Sequence, residues 1–135
     1  MSIEIQGLNQ LLQSLDITNP AKIDAALTKA CALVERSAKM KAPKGNGELA
    51  RSITSKQENG VGEVFTTLEY APYVEYGTGL FAEEGGRKDV PWHYQDDKGE
   101  WHTTSGQHPQ PFMRPALDEN RDEIVRIFRE VIKDD

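Results

Sequence analysis

Residues 19–43 read NPAKIDAALTKACALVERSAKMKAP, and this stretch decides the fold. Asn19 is a helix N-cap residue, and Pro20 suits the first helical position, where its missing N–H has no partner to lose. The apolar residues Ile23, Ala26, Leu27, Ala30, Cys31, Val34 and Ala38 then recur at intervals of three and four, which lines them along one helical face. Pro43 pushes Ala42 out of helical conformation, and Gly45 and Gly47 supply loop geometry. A helix is therefore predicted from about Pro20 to Lys41, on the order of 30 Å long at about 1.5 Å per residue. Its alanine-rich stripe allows close approach to a sheet or another helix.

On the N-terminal side, Ile3 and Ile5 alternate with polar neighbours as in a short strand, and Gly7 leads into a short helix carrying Leu8, Leu11, Leu12 and Leu15 that ends near Asp16. On the C-terminal side, residues Glu48 to Ile53 make one helical turn. Asn59-Gly60 then separates Thr54 to Glu58 from Val61 to Thr67, a short-range signal for a hairpin whose turn needs positive φ. Pro72 opens a short helix that Gly77 closes. Trp92-His93-Tyr94 and Glu100-Trp101-His102-Thr103 flank Asp96-Asp97-Lys98-Gly99, a second hairpin with aromatic arms. Pro115 opens a C-terminal helix with Leu117, Ile124, Ile127, Phe128 and Val131 on one face and Asp118 and Glu119 in its first turn.

The fold class predicted from these elements is α+β. A small antiparallel β-sheet packs against the long N-terminal helix, followed by a long β-hairpin loop and a C-terminal helix. At 135 residues the expectation is a single domain, 1–135, with the long loop and hairpin at about 78–111. Residues 80–110 include the charged run Glu83 to Asp89, which has no apolar residue to hold it to a core, and this segment is expected to be mobile in an isolated subunit.

A net charge of -6 argues against a protein that lives by gripping phosphate backbones. The charge is nonetheless uneven. Arg36, Lys39, Lys41, Lys44, Arg51 and Lys56 form a basic segment, and Glu58, Glu63, Glu69, Glu75, Glu83 and Glu84 make the next stretch acidic. Such a division reads either as a solvated helix end with its macrodipole complemented or as opposite-signed faces that meet between subunits. The lone Cys31 lies in the helical pattern, so no disulfide forms within the chain, a reducing compartment is expected and Cys31 reads as a small core residue. No stretch approaches the roughly 20 apolar residues needed to span a bilayer, and no membrane association is expected.

Three candidate chemistries are weighed on residue types and spacing. His93, His102 and His108 lie beside Asp96, Asp97 and Glu100, which raises a metal-dependent enzyme, but their spacing of nine and then six matches no zinc pattern. No nucleophile elbow is present, and Gly77-Thr78-Gly79 lacks the third glycine of a phosphate cradle. A nucleic-acid module would use the basic 36–56 segment, with Lys39, Lys41, Lys44 and Arg51 as a contact face and Tyr70, Tyr73 and Tyr76 as stacking rings. Glu48, Glu69 and Glu75 interrupt that surface. No catalytic residue, metal or cofactor is expected.

Three stretches, taken in order, resemble a phage family. Ala42-Pro43-Lys44-Gly45-Asn46-Gly47-Glu48-Leu49-Ala50-Arg51-Ser52-Ile53 is similar to a proline-glycine loop leading to a Leu-Arg-Ser-Ile element, with Asn46 where threonine is usual. Tyr70, Ala71, Val74, Glu75, Gly77 and Thr78 match a Tyr-Ala-x-x-Val-Glu-x-Gly-Thr pattern. Gly106 to Leu117, through Pro109-Gln110-Pro111-Phe112-Met113-Arg114-Pro115-Ala116, resembles a Pro-x-Pro-Phe ending before a last helix. The family is that of the small head-tail joining or tail-completion proteins, the "gene-product-10-like" neck proteins of long-tailed phages, and the Trp92 to Trp101 hairpin resembles an insertion found in many of its members.

The resemblance implies a non-catalytic virion protein of a bacteriophage or prophage, located in the neck or tail and assembled in the bacterial host cytoplasm. It implies a self-assembled ring, commonly a hexamer, whose partners are other neck and tail proteins: the head connector or adaptor, and the tail terminator or tail tube. DNA would pass through such a ring without specific binding. The residues assigned to the oligomer and partner interface, from the family motifs and the loop, are Tyr70, Tyr73, Glu75, Tyr76, Gly77, Thr78, Trp92, Tyr94, Trp101, Pro111, Phe112, Arg114 and Pro115.

Overall fold

The computed structural model describes residues 1–5, 20–45, 47–58, 60–83, 90–96 and 98–133. The predicted helix over Leu8–Leu15 and residues 84–89 of the charged run lie outside the described residues. The elements are β1 (Ser2–Ile5), α1 (Pro20–Lys41), α2 (Glu48–Ser52), β2 (Thr54–Glu58), β3 (Val61–Phe65), α3 (Ala71–Tyr76), a 3-10 turn (Gly79–Phe81), β4 (Trp92–Gln95), β5 (Trp101–Thr104), α4 (Met113–Asp118) and α5 (Arg121–Lys133). The chain is α+β, with a long helix, small antiparallel sheets, a hairpin and C-terminal helices.

The described chain forms two compact units, Met1–Leu68 with Phe112–Asp135, and Glu69–Pro111. In the first, three antiparallel strands run in the order β1-β3-β2. The register sets Lys56 opposite Glu63 and Ser55 opposite Val64, so Ser55, Gly62 and Val64 share the face against which α1 packs. Thr54, Lys56, Glu58, Val61, Glu63 and Phe65 take the other face. There the Lys56 ammonium lies 5.5 Å from the Phe65 ring centroid and 3.9 Å from the Glu63 carboxylate.

Helix α1 keeps its predicted bounds, and six residues of its predicted stripe are buried: Ala26, Leu27, Ala30, Cys31, Val34 and Ala38. Small side chains at four of these positions let α1 approach the sheet on one side and α4 and α5 on another. Leu49, Ile53, Val64, Phe112, Met113, Ala116, Ile124 and Phe128 complete this packing. Burial pushes the Cys31 thiol pKa up, so the side chain behaves as a small apolar group.

The C-terminal segment corrects the single helix expected from Pro115. It begins at Met113, with Pro115 in the first turn where no N–H is needed, and breaks after Asp118. Asn120 donates its side-chain amide to the Ala116 carbonyl at 2.7 Å, satisfying a helix-end acceptor, and its own carbonyl accepts the Ile124 N–H at 2.9 Å to start α5. The Lys41–Glu119 ion pair ties this break to the end of α1.

Candidate assembly surface

Most of the residues the sequence singles out fall in the second unit, where two stretches of backbone are clamped together. Helix α3 is opened by Pro72 in its first turn and closed by the Gly77 N–H, which donates to the Tyr73 carbonyl at 2.9 Å. The chain then runs beside residues 105–107. Thr78 N–H donates to Gln107 O at 3.0 Å, Gln107 N–H donates to Thr78 Oγ1 at 2.9 Å, and Leu80 N–H donates to Ser105 O at 2.8 Å. Gln110 N–H reaches the Val74 carbonyl at 2.8 Å, and the His108 and Phe81 rings lie 3.9 Å apart between centroids.

Glycine makes this clamp physically accessible. A Cβ on Gly79 would stand 2.3 Å from Ser105 O and 2.6 Å from the Trp92 indole, and one on Gly106 would stand 2.1 Å from Thr78 O. Gly77 and Thr78 of the tyrosine motif therefore hold the start of this segment against residues 105–107. Gly106, which opens the third family-like stretch but was not assigned to the interface, is their counterpart. Glu75 is completely buried in the middle of α3, and among the described residues no buried side-chain oxygen or nitrogen lacks a hydrogen-bond partner. Its carboxylate is therefore partnered within the chain, as burial of a charged group demands.

The hairpin β4–β5 pairs Trp92 with Thr104, His93 with Thr103, Tyr94 with His102 and Gln95 with Trp101. Period-two alternation places Trp92, Tyr94, His102 and Thr104 on one face and His93, Gln95, Trp101 and Thr103 on the other. Trp92 is half-buried against Gly79. Trp101, on the opposite face, is 70% exposed. Tyr94 stacks on His102 at 5.2 Å. The turn is locked by Asp96, whose Oδ1 accepts the N–H groups of Lys98 and Glu100 at 2.9 Å each while Oδ2 faces His102 Nε2 at 2.7 Å. The His102 bond, then the backbone donor of Glu100 and that of Lys98, hold the Asp96 carboxyl below its ordinary pKa.

The three histidines do not form one ligand set. His93 bonds Thr103 Oγ1 at 2.8 Å on one face of the hairpin, His102 bonds Asp96 on the other, and His108 stacks on Phe81. Asp96, Glu100 and His102 do bring ligand atoms within 4.8 Å of one another, but the Asp96 oxygens are already engaged by the turn. In the basic set, Lys39 pairs with Glu35 at 3.6 Å, Lys41 pairs with Glu119, the Arg51 guanidinium lies beside Gly47, and Lys44 is exposed. Pro111 is exposed, Arg114 and Pro115 are half-buried, and Phe112 is completely buried and so packs inside the chain.

The outward surface of this unit carries large apolar side chains among its polar ones. Tyr70, Tyr73, Tyr76, Leu80, Tyr94 and Trp101 are all exposed large side chains of this one unit. The family model described as "Bacteriophage HK97-gp10, putative tail-component" matches residues 7–77, just over half of the chain. The chain belongs to this HK97-gp10-like family. The match takes in α1, strands β2 and β3, the Ala42–Ile53 stretch and helix α3 through Gly77; β1, the β4–β5 hairpin and the Gly106–Leu117 stretch lie outside it. The comparisons with curated proteins and with solved structures gave no match. Membership of the HK97-gp10-like family implies a place in the phage virion and contact with other tail or neck proteins. No described helix is long and apolar enough to cross a membrane.

Proposed function

We propose that this chain is a non-catalytic structural subunit that assembles into a ring, commonly of six copies, where the head of a tailed phage meets its tail, and acts there in head-tail joining or tail completion. The observation that carries the reading is the exposed aromatic surface of the Glu69–Pro111 unit in a chain of a phage tail-component family. Exposed rings of this size are a liability on a lone subunit and an anchor once covered, because each tyrosine or tryptophan buries about 150–250 Å². The partners are further copies of the chain, the head connector or adaptor, and the tail terminator or tube. A net charge of -6 per subunit supports a channel that lets duplex DNA slide through without holding it.

Removal of the gene from its phage tests this directly. The expected outcome is filled heads with tails that do not join, or tails of faulty length. Normal infectious particles would sink the reading.

A further inference from the structure

We propose that the tyrosine surface of one copy is covered by the solvent face of helix α1 of the next copy, so that subunits join head to tail; this rests on the ring reading above. Tyr70, Tyr73 and Tyr76 follow one another at intervals of three through α3, and Tyr73 is 61% exposed. The exposed Glu69 precedes this stripe, and Glu83 follows it, its N–H donating to the Tyr76 carbonyl at 3.0 Å. The result is an aromatic surface with carboxylates at its borders.

On α1, Ala32, Arg36 and Met40 repeat every four residues on the side away from the buried Ala30, Val34 and Ala38. Met40 is 70% exposed. The exposed Lys29 lies one turn before Ala32, and the exposed Lys44 lies in the turn after the helix. This second surface is centred on the Arg36 guanidinium between Ala32 and Met40, with further cations at its borders. A thioether and a guanidinium are the groups that tyrosine rings accept best, through sulfur–aromatic and cation–π contact. Glu69 and Glu83 supply the charge opposite to Lys29 and Lys44.

The charge pattern also sets the symmetry. Two tyrosine faces would oppose carboxylates to carboxylates, and two α1 faces would oppose cations to cations. Only the unlike pair is complementary, and an interface between unlike faces is heterologous, which closes into a ring when the rotation allows it.

Two variants test the pairing, each changing only exposed residues: Glu69→Lys with Tyr73→Ala on one face, and Arg36→Glu with Met40→Ala on the other. Thermal melts establish that each subunit folds, and Tyr73→Phe, which keeps the ring, should assemble like wild type. Light scattering is expected to show each variant monomeric where wild type assembles, the apparent dissociation constant rising at least about tenfold. An equimolar mixture of the two should form dimers and stop there, because each variant keeps one intact and complementary face. Either variant assembling like wild type, or a mixture that stays monomeric, overturns the pairing while leaving the ring reading intact. So does loss of duplex DNA retention with assembly unchanged, which would assign the cations to nucleic acid. Wild-type chain that is monomeric both in solution and in purified particles overturns both readings.

Discussion

At Gly79 a single methyl group decides whether residues 77–80 can lie against residues 105–107. The residue sits at φ +59, and a Cβ there would meet both the Ser105 carbonyl and the Trp92 ring at well under van der Waals distance. Backbone strain and overpacking add, so Gly79→Ala is expected to destabilise the unit by about 2–4 kcal/mol, while Gly45→Ala, with nothing near its Cβ, should be nearly neutral. Chemical denaturation followed by tryptophan fluorescence checks this; an unchanged midpoint for Gly79→Ala would refute the clamp. Asp96 makes the other residue-scale prediction. Its folded pKa is depressed, so the stabilisation it gives the hairpin is fully present above the unfolded value of about 3.9 and is lost as pH falls through the folded value. Near-ultraviolet circular dichroism of the hairpin aromatics should show an acid transition below about pH 4, and Asp96→Asn should remove that transition.

The hairpin is where the element scale departs from what composition alone conveys. Trp92 and Trp101 look equivalent in the sequence, two tryptophans on two arms, yet the register puts them on opposite faces. Trp92→Ala should cost about 2 kcal/mol of folding stability, half the range for a fully buried ring. Trp101→Ala should leave folding within about 0.5 kcal/mol and weaken assembly by about 2 kcal/mol. Melting and light scattering separate the two effects, and a melting loss for Trp101→Ala as large as that for Trp92→Ala would contradict the assignment. Other elements were legible because their signals are local: Pro20 and Ala42-Pro43 bound α1, and Gly60 at φ +77 turns the β2–β3 hairpin. The break at Glu119–Asn120 was not, because it depends on one side-chain amide outcompeting the helix backbone. Nor was the pairing of residues 77–80 with 105–107, since it joins positions nearly thirty residues apart and periodicity carries no information at that range.

At the scale of the whole molecule, the candidate surface was half legible. Three-residue spacing groups Tyr70, Tyr73 and Tyr76 around a short helix, but their exposure, and the burial of Glu75 between them and of Phe112 before α4, emerge only with tertiary packing. That packing divides the candidates by burial: Glu75, Gly77 and Phe112 are buried within the chain, Thr78 is half-buried, and the tyrosines with Trp101 are exposed. An acidic chain with exposed aromatic side chains suits a tail component better than a DNA grip, since affinity for duplex grows with the phosphates neutralised by Lys and Arg, and Lys39 and Lys41 are already paired with Glu35 and Glu119. Electron cryo-microscopy of intact particles of the phage that carries this gene tests the central claim most directly. A closed ring of copies of this chain at the head-tail junction, with the tyrosine surface buried between neighbours, is the predicted result; mature particles whose neck and tail density contains no copy of the chain would contradict it.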